Sequence, residues 1–378
     1  MKFLSFLSFF TLTVLSSLAQ GPATWDQNTA YTHPALVLNG STTYISLQDV
    51  PSGTAITSST YWSTLDSQVP TTTPTGAESL TTPDASEVNS LSAPSTTNAA
   101  KLKGISTNAT VTPSALMVAG VTITGGTKKV VFQVQATGTY AATDGYLQDP
   151  VLYIVNGLGA VVATVDNWQN GPDAGYDATL YSTSYLTELQ NSAYAMAGAN
   201  EAAIIMNLPE GSYTALVGSK SGAETAKAVV AAFDFETGES VSKLKGISTN
   251  ATVTPSALMV AGVTITGGTK KVVFQVQATG TYASTDGYLQ DPILYIVNGL
   301  GAVVATVDNW QNGPDAGYDA SLYSTSYLSE LQNSSYAMAG ANESAIIMNL
   351  PEGSYTALVG SKSGAETAKA VVAAFDFE

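Results

Sequence analysis

Cysteine and arginine are both absent from this 378-residue chain, and histidine occurs once, at His33. Each gap removes chemistry. Without Cys there is no disulfide, thiol nucleophile, iron–sulfur cluster or Cys-type zinc site, so stability has to come from packing alone. Without Arg the chain lacks the planar fork suited to bidentate phosphate contacts. A formal charge of −16 also repels a nucleic-acid backbone. These two facts argue against nucleic acid and anionic membrane surfaces as partners. With His33 as the sole histidine, no Ser–His–Asp or Cys–His arrangement can be built elsewhere in the chain. A carboxylate pair is the remaining catalytic option. Asp144, Asp149, Asp166, Asp173, Asp177, Glu188 and Glu201 supply the acids, but no spacing among them requires a pair. Solvated loop carboxylates explain them better. The expectation is a protein that is not an enzyme and carries no cofactor.

Hydrophobic residues make up 44% of the chain and charged residues 11%, so real cores form beneath a surface of Ser, Thr, Asn and Gln. Abundant Gly (33) and Tyr (19) suit turn-rich β structure. At the N-terminus, Lys2 precedes an apolar stretch from Phe3 to Leu18. Ser17-Leu18-Ala19 offers small residues for cleavage. Residues 1–19 read as a signal peptide, which implies a secreted or cell-surface protein. No other apolar stretch approaches the ~20 residues of a membrane span.

The chain repeats itself. Residues 101–236 recur as 243–378, an offset of 142. Six pairs differ: Ala142/Ser284, Val151/Ile293, Thr179/Ser321, Thr187/Ser329, Ala193/Ser335 and Ala202/Ser344. The period exceeds the ~20–50 residues of solenoid repeats, so the copies read as beads, each able to fold by itself. Residues 237–242 form a short polar linker, and 66–100 a Ser/Thr/Pro-rich linker unable to fold. Residues 20–65 remain as a small aromatic module.

Within copy 1, strand signals fall at 116–124, 130–135, 150–155, 160–165, 203–208, 212–217 and 228–235, with a hairpin over 152–165. Residues 183–198 read as one short helix beside the sheets. The expected fold class is all-β: a small β module followed by two tandem, jelly-roll-like β-sandwiches.

Two sets of residues carry a family resemblance. Gly104-Ile-Ser-Thr-Asn108, Met117 to Ile123, Leu147 to Leu152, Asp166-Asn-Trp168 and Leu208-Pro-Glu-Gly-Ser-Tyr-Thr-Ala215 resemble an exported bacterial β-sandwich repeat similar to pre-peptidase C-terminal domains. That resemblance implies an accessory module without catalysis. Trp25, Tyr31, Val37, Asn39-Gly40, Thr43-Tyr44, Pro51 and Tyr61-Trp62 resemble the type-5/12 carbohydrate-binding class of chitin- and cellulose-binding modules. The chain departs from that class at His33-Pro-Ala and in having no Trp between Pro51 and Thr60. The resemblance implies a ligand-binding set of Trp25, Tyr31, Tyr44, Tyr61 and Trp62, with Trp25, Tyr61 and Trp62 as sugar-stacking rings and Tyr31 and Tyr44 as core. The rival reading is a purely structural aromatic core.

The loop 166–177 offers Asp166, Asn167, Asp173 and Asp177 to a calcium ion, although it matches no standard calcium-loop spacing. The bland alternative makes Trp168 a plug and the acids solvated. The expected function is a secreted, non-catalytic glycan-binding or adhesive protein with a polysaccharide partner such as chitin, cellulose or a cell-wall glycan. The alternative is a structural surface or matrix protein that self-associates through its repeats.

Overall fold

The computed structural model describes residues 23–31, 36–39, 42–46, 50–64, 100–113, 115–140, 145–236, 242–254, 258–282 and 286–377. The signal-peptide reading, His33 and nearly all of the 66–100 linker lie outside the described residues. So do Asp144 and the position pair Ala142/Ser284.

The small module holds four short strands, β1 (Ala23–Thr24), β2 (Leu36–Asn39), β3 (Thr42–Ser46) and β4 (Trp62–Thr64), hydrogen-bonded in that order. Val37 pairs with Tyr44, and Ser46 with Trp62. Directly paired residues share a face, as do residues two apart on a strand. Val37, Tyr44, Ser46 and Trp62 therefore share one face. Among the described residues its buried core is Val37, Val50, Ile56 and Trp62.

Copy 1 contributes β5 (Lys101–Val111), β6 (Met117–Thr124), β7 (Lys128–Gln135), β8 (Pro150–Asn156) and β9 (Val161–Val165). After these come helix α1 (Ser184–Gln190) and strands β10 (Ala202–Leu208), β11 (Gly211–Ser219) and β12 (Ala226–Asp234). Copy 2 repeats the set as β13 (Lys243–Val253), β14 (Met259–Thr266), β15 (Lys270–Gln277), β16 (Pro292–Asn298), β17 (Val303–Val307), α2 (Ser326–Gln332), β18 (Ser344–Leu350), β19 (Gly353–Ser361) and β20 (Ala368–Asp376). In each copy four strands form one layer and four the other, the two-layer sandwich that the alternating apolar pattern demands. The hairpin over 152–165 forms as β8 and β9, with a bulge between Ile154 and Val155. No described helix is long and apolar enough to cross a membrane.

The copies are two sandwiches, yet they are not separate beads. One eight-stranded sheet runs β10-β7-β12-β5-β14-β19-β16-β17, and the other β18-β15-β20-β13-β6-β11-β8-β9. Each sheet is half copy 1 and half copy 2. The seams are β5 against β14 and β13 against β6, both antiparallel. Along one seam Thr107 faces Ala261 and Ser106 faces Gly262; along the other Thr249 faces Ala119 and Ser248 faces Gly120. Raising the copy 1 numbers by 142 and lowering the copy 2 numbers by 142 converts one seam into the other, so a local two-fold relates the copies. One buried apolar cluster continues through both, from Leu102 to Ala374.

The outer edges are covered by the chain itself. In copy 1 the amides of Asp173 and Asp177 donate to Thr164 and Val162 of β9, both at 2.8 Å. The Trp168 amide donates to Glu201 at 3.0 Å, and the Asn207 amide of β10 to Leu180 at 2.9 Å. The stretch 166–180 thus straps one layer to the other and occupies hydrogen-bonding groups that would otherwise recruit another strand. Copy 2 does the same through Asp315, Asp319, Trp310 and Leu322.

Candidate functional sites

Three places merit a site description: the aromatic module, the strap, and the groove where the copies meet.

In the module all five predicted aromatics gather around one core. Trp62 is 3% exposed, and its ring meets that of Tyr31 edge-on at a centroid distance of 5.3 Å. Expected as a stacking ring, Trp62 is instead the largest member of the core. The reason is its register: it lies opposite the fully buried Ser46, on the same face as Val37. Its neighbour Tyr61 sits in the turn before β4 and is half-buried, as are Trp25, Tyr31 and Tyr44. Tyr31 is fixed at both ends. Its backbone pairs with Val50, and its hydroxyl receives the Asp26 amide at 2.7 Å. Tyr44 lies on the core face, as the sequence suggested. Trp25 turns its Nε1 inward, where it finds no hydrogen-bond partner. All four remain partly exposed, but Tyr31 is fixed by its backbone and hydroxyl and Tyr44 lies on the core face, which leaves Trp25 and Tyr61 as the candidates for a ligand contact.

In the strap two of the four proposed calcium ligands, Asp166 and Asp177, are engaged elsewhere. Asp166 pairs with Lys220, which also approaches Asp149 at 3.9 Å. Asp177 accepts from the Thr179 amide at 2.8 Å and its hydroxyl at 2.6 Å. The Asp173 and Asp177 amides hold β9. Among the described residues no group of three or more His, Cys, Asp or Glu side chains could hold a metal ion. Trp168 is 5% exposed and donates Nε1–H to Gly198 at 3.0 Å, so it is a plug.

Burial, followed by the charge of Asp166, pushes Asp173 from its ordinary 3.8 up to about 6, against the opposing pull of Lys220. A carboxyl that is harder to ionise when folded stabilises the fold most below its ordinary value. That contribution is lost as pH rises through about 6. Asp173→Asn is therefore expected to raise the melting temperature at pH 7, with the gap closing by about pH 4. The gain is ~1 kcal/mol at most, since the group is only half-buried and solvent screens it. Melting curves of both proteins across that range check this.

The third place is a groove of about 510 Å³ at the local two-fold. Asn108 and Thr110 line it from copy 1, Asn250 and Thr252 from copy 2, and Lys227 and Lys369 flank it. Tyr146, also in the lining, stacks on Tyr140 at 4.1 Å with rings 14° apart. Tyr288 stacks on Tyr282 in the same way and accepts a hydrogen bond from Asn250 at 3.1 Å. Lys227 lies over the Tyr146 ring and Lys369 over Tyr288, at 5.5 and 5.7 Å. Amides, hydroxyls and ring faces are the groups that bind polyhydroxylated ligands. Sequence reasoning missed this groove because it exists only where the two copies meet.

No family model matches the chain, and no curated protein matches it.

Proposed function

We propose that the protein is a secreted, non-catalytic glycan-binding adhesin, with the small module as its contact and the twin sandwich as a rigid body behind it. The observation that carries this reading is the module's half-buried aromatic set, Trp25, Tyr31, Tyr44 and Tyr61, packed around Val37, Val50, Ile56 and Trp62. A domain this small gains most by burying its rings fully, yet Trp25 and Tyr61 keep part of theirs in solvent. Stacking such a ring on the C–H face of a sugar removes apolar surface from water on both sides. The resemblance to the type-5/12 class points to insoluble chitin, cellulose or a cell-wall glycan. The groove at the two-fold, lined by Asn, Thr, Lys and Tyr beside Leu116, Met117, Leu258 and Met259, offers a second contact for the same ligand class.

Tyr61→Ala is expected to weaken retention on insoluble polysaccharide at least tenfold, about 1.4 kcal/mol, while circular dichroism stays unchanged. Trp25→Ala should follow it in part, because its inward edge also packs. Retention unchanged in a folded Tyr61→Ala, Trp25→Ala double variant would refute the glycan reading.

A structural matrix protein is the second reading. It is favoured by the seam, which joins the copies through both sheets.

A further inference from the structure

The two seams present the same chemistry twice. Seven residue pairs define each, in the same register, with the same one-residue bulge at Lys103 and Lys245. Thr107 Oγ1 donates to the Val260 carbonyl at 2.6 Å, and Thr249 Oγ1 to the Val118 carbonyl at 2.5 Å. Gly120 and Gly262 make room for the approach. A Cβ on Gly120 would sit 2.7 Å from Ser248 Oγ, and one on Gly262 would sit 2.6 Å from Ser106 Oγ. None of the six positions that differ between the copies lies on β5, β6, β13 or β14. Each copy thus carries one β5-type edge and one β6-type edge, complementary to each other, and nothing at the seam tells copy 1 from copy 2. A self-complementary patch of this kind is isologous, the usual interface of two-fold dimers.

We propose that the seam is also an interface between molecules: copy 1 of one chain pairs with copy 1 of a second chain, and copy 2 with copy 2, through the strand edges that join the copies within a chain. The partner is another copy of this protein. Within one chain the short connector holds the copies at an effective concentration of order millimolar. Pairing between chains therefore wins only where molecules are crowded, as on a surface, or where chains fold side by side. Because both outer edges of each sheet are strapped, exchange at the seam is the route to assembly that leaves every strand paired.

The absence of cysteine makes the test clean. Thr107 faces Ala261 within the chain, and Ala119 is the copy 1 equivalent of Ala261. A chain carrying Thr107→Cys and Ala261→Cys together should close an internal disulfide, which calibrates the seam geometry. Chains carrying Thr107→Cys alone are then mixed with chains carrying Ala119→Cys alone, refolded together from urea at rising concentration and oxidised. A covalent dimer at least tenfold above that of either variant by itself, increasing with concentration and lost when Gly120→Val is added, is the expected result. An internal disulfide in the calibration chain with no mixed dimer at any concentration overturns the proposal. Failure of the calibration chain to close overturns it too, by removing the seam. Neither outcome bears on glycan retention by the small module.

Discussion

Glu201→Ala is expected to lower stability by about 3 kcal/mol, and Glu201→Gln by roughly half of that. Glu201 is 1% exposed, at the entry to β10. Its Oε1 accepts the amides of Ala136 and Thr139 at 2.7 and 2.8 Å. Its Oε2 accepts the Gly198 amide at 2.9 Å and the Thr139 hydroxyl at 3.1 Å. One carboxylate thus ties the end of β7 to the segment after α1, and its own carbonyl receives the Trp168 amide of the strap. Burial raises its pKa, and the amide donations pull it back. Removing the side chain leaves the buried Ala136 amide without an acceptor and opens a cavity, at ~1–3 kcal/mol for the amide alone. Gln keeps one accepting oxygen and turns an NH2 toward the other pair of donors, hence the intermediate loss. Glu343 makes the same four contacts in copy 2, so Glu343→Ala should match Glu201→Ala. Chemical unfolding of the three variants against the parent measures this. A loss below 1 kcal/mol in Glu201→Ala would show that the clamp is dispensable.

The sandwich strands were legible wherever alternation was clean. The strand expected over 203–208 forms as β10, that over 212–217 as β11, and the helix expected within 183–198 as the shorter α1. The seam strand β5 was not legible. In Lys-Leu-Lys-Gly-Ile-Ser-Thr-Asn-Ala-Thr-Val the bulge at Lys103 puts Leu102, Gly104 and Ile105 all inside, so the period of two breaks. Gly104 and Asn108 further dilute a strand signal. The partner that completes β5 lies more than 150 residues away, and no local pattern can announce it. Missing β5 meant missing both the union of the copies and the groove it creates. The strap shows the converse. Its Gly, Pro, Asn and Asp residues invited a metal reading, while its work is done largely by backbone amides, which every sequence has.

The same limit governs the module. Trp62→Ala is expected to unfold it rather than to unhook a sugar. Sequence position and resemblance made Tyr61 and Trp62 a pair of candidates, and strand alternation required that normally only one be buried. Alternation does not say which, because the phase is set by the partner strand. The pairing of Ser46 with Trp62 sets it, and places the indole beside Val37, Val50 and Ile56, in a T-shaped contact with Tyr31. Deleting a buried Trp typically costs ~3–5 kcal/mol. A module of this size holds little more than that in reserve. Trp62→Ala should therefore abolish the cooperative thermal transition of the module, and glycan retention with it, in contrast to Tyr61→Ala, which should lose retention while folded. Trp62→Phe keeps an aromatic in the core and should restore both. The measurement is melting of the module monitored together with polysaccharide pull-down for the three variants. A Trp62→Ala module that still melts cooperatively near the parent temperature, yet no longer binds, would return Trp62 to the ligand surface.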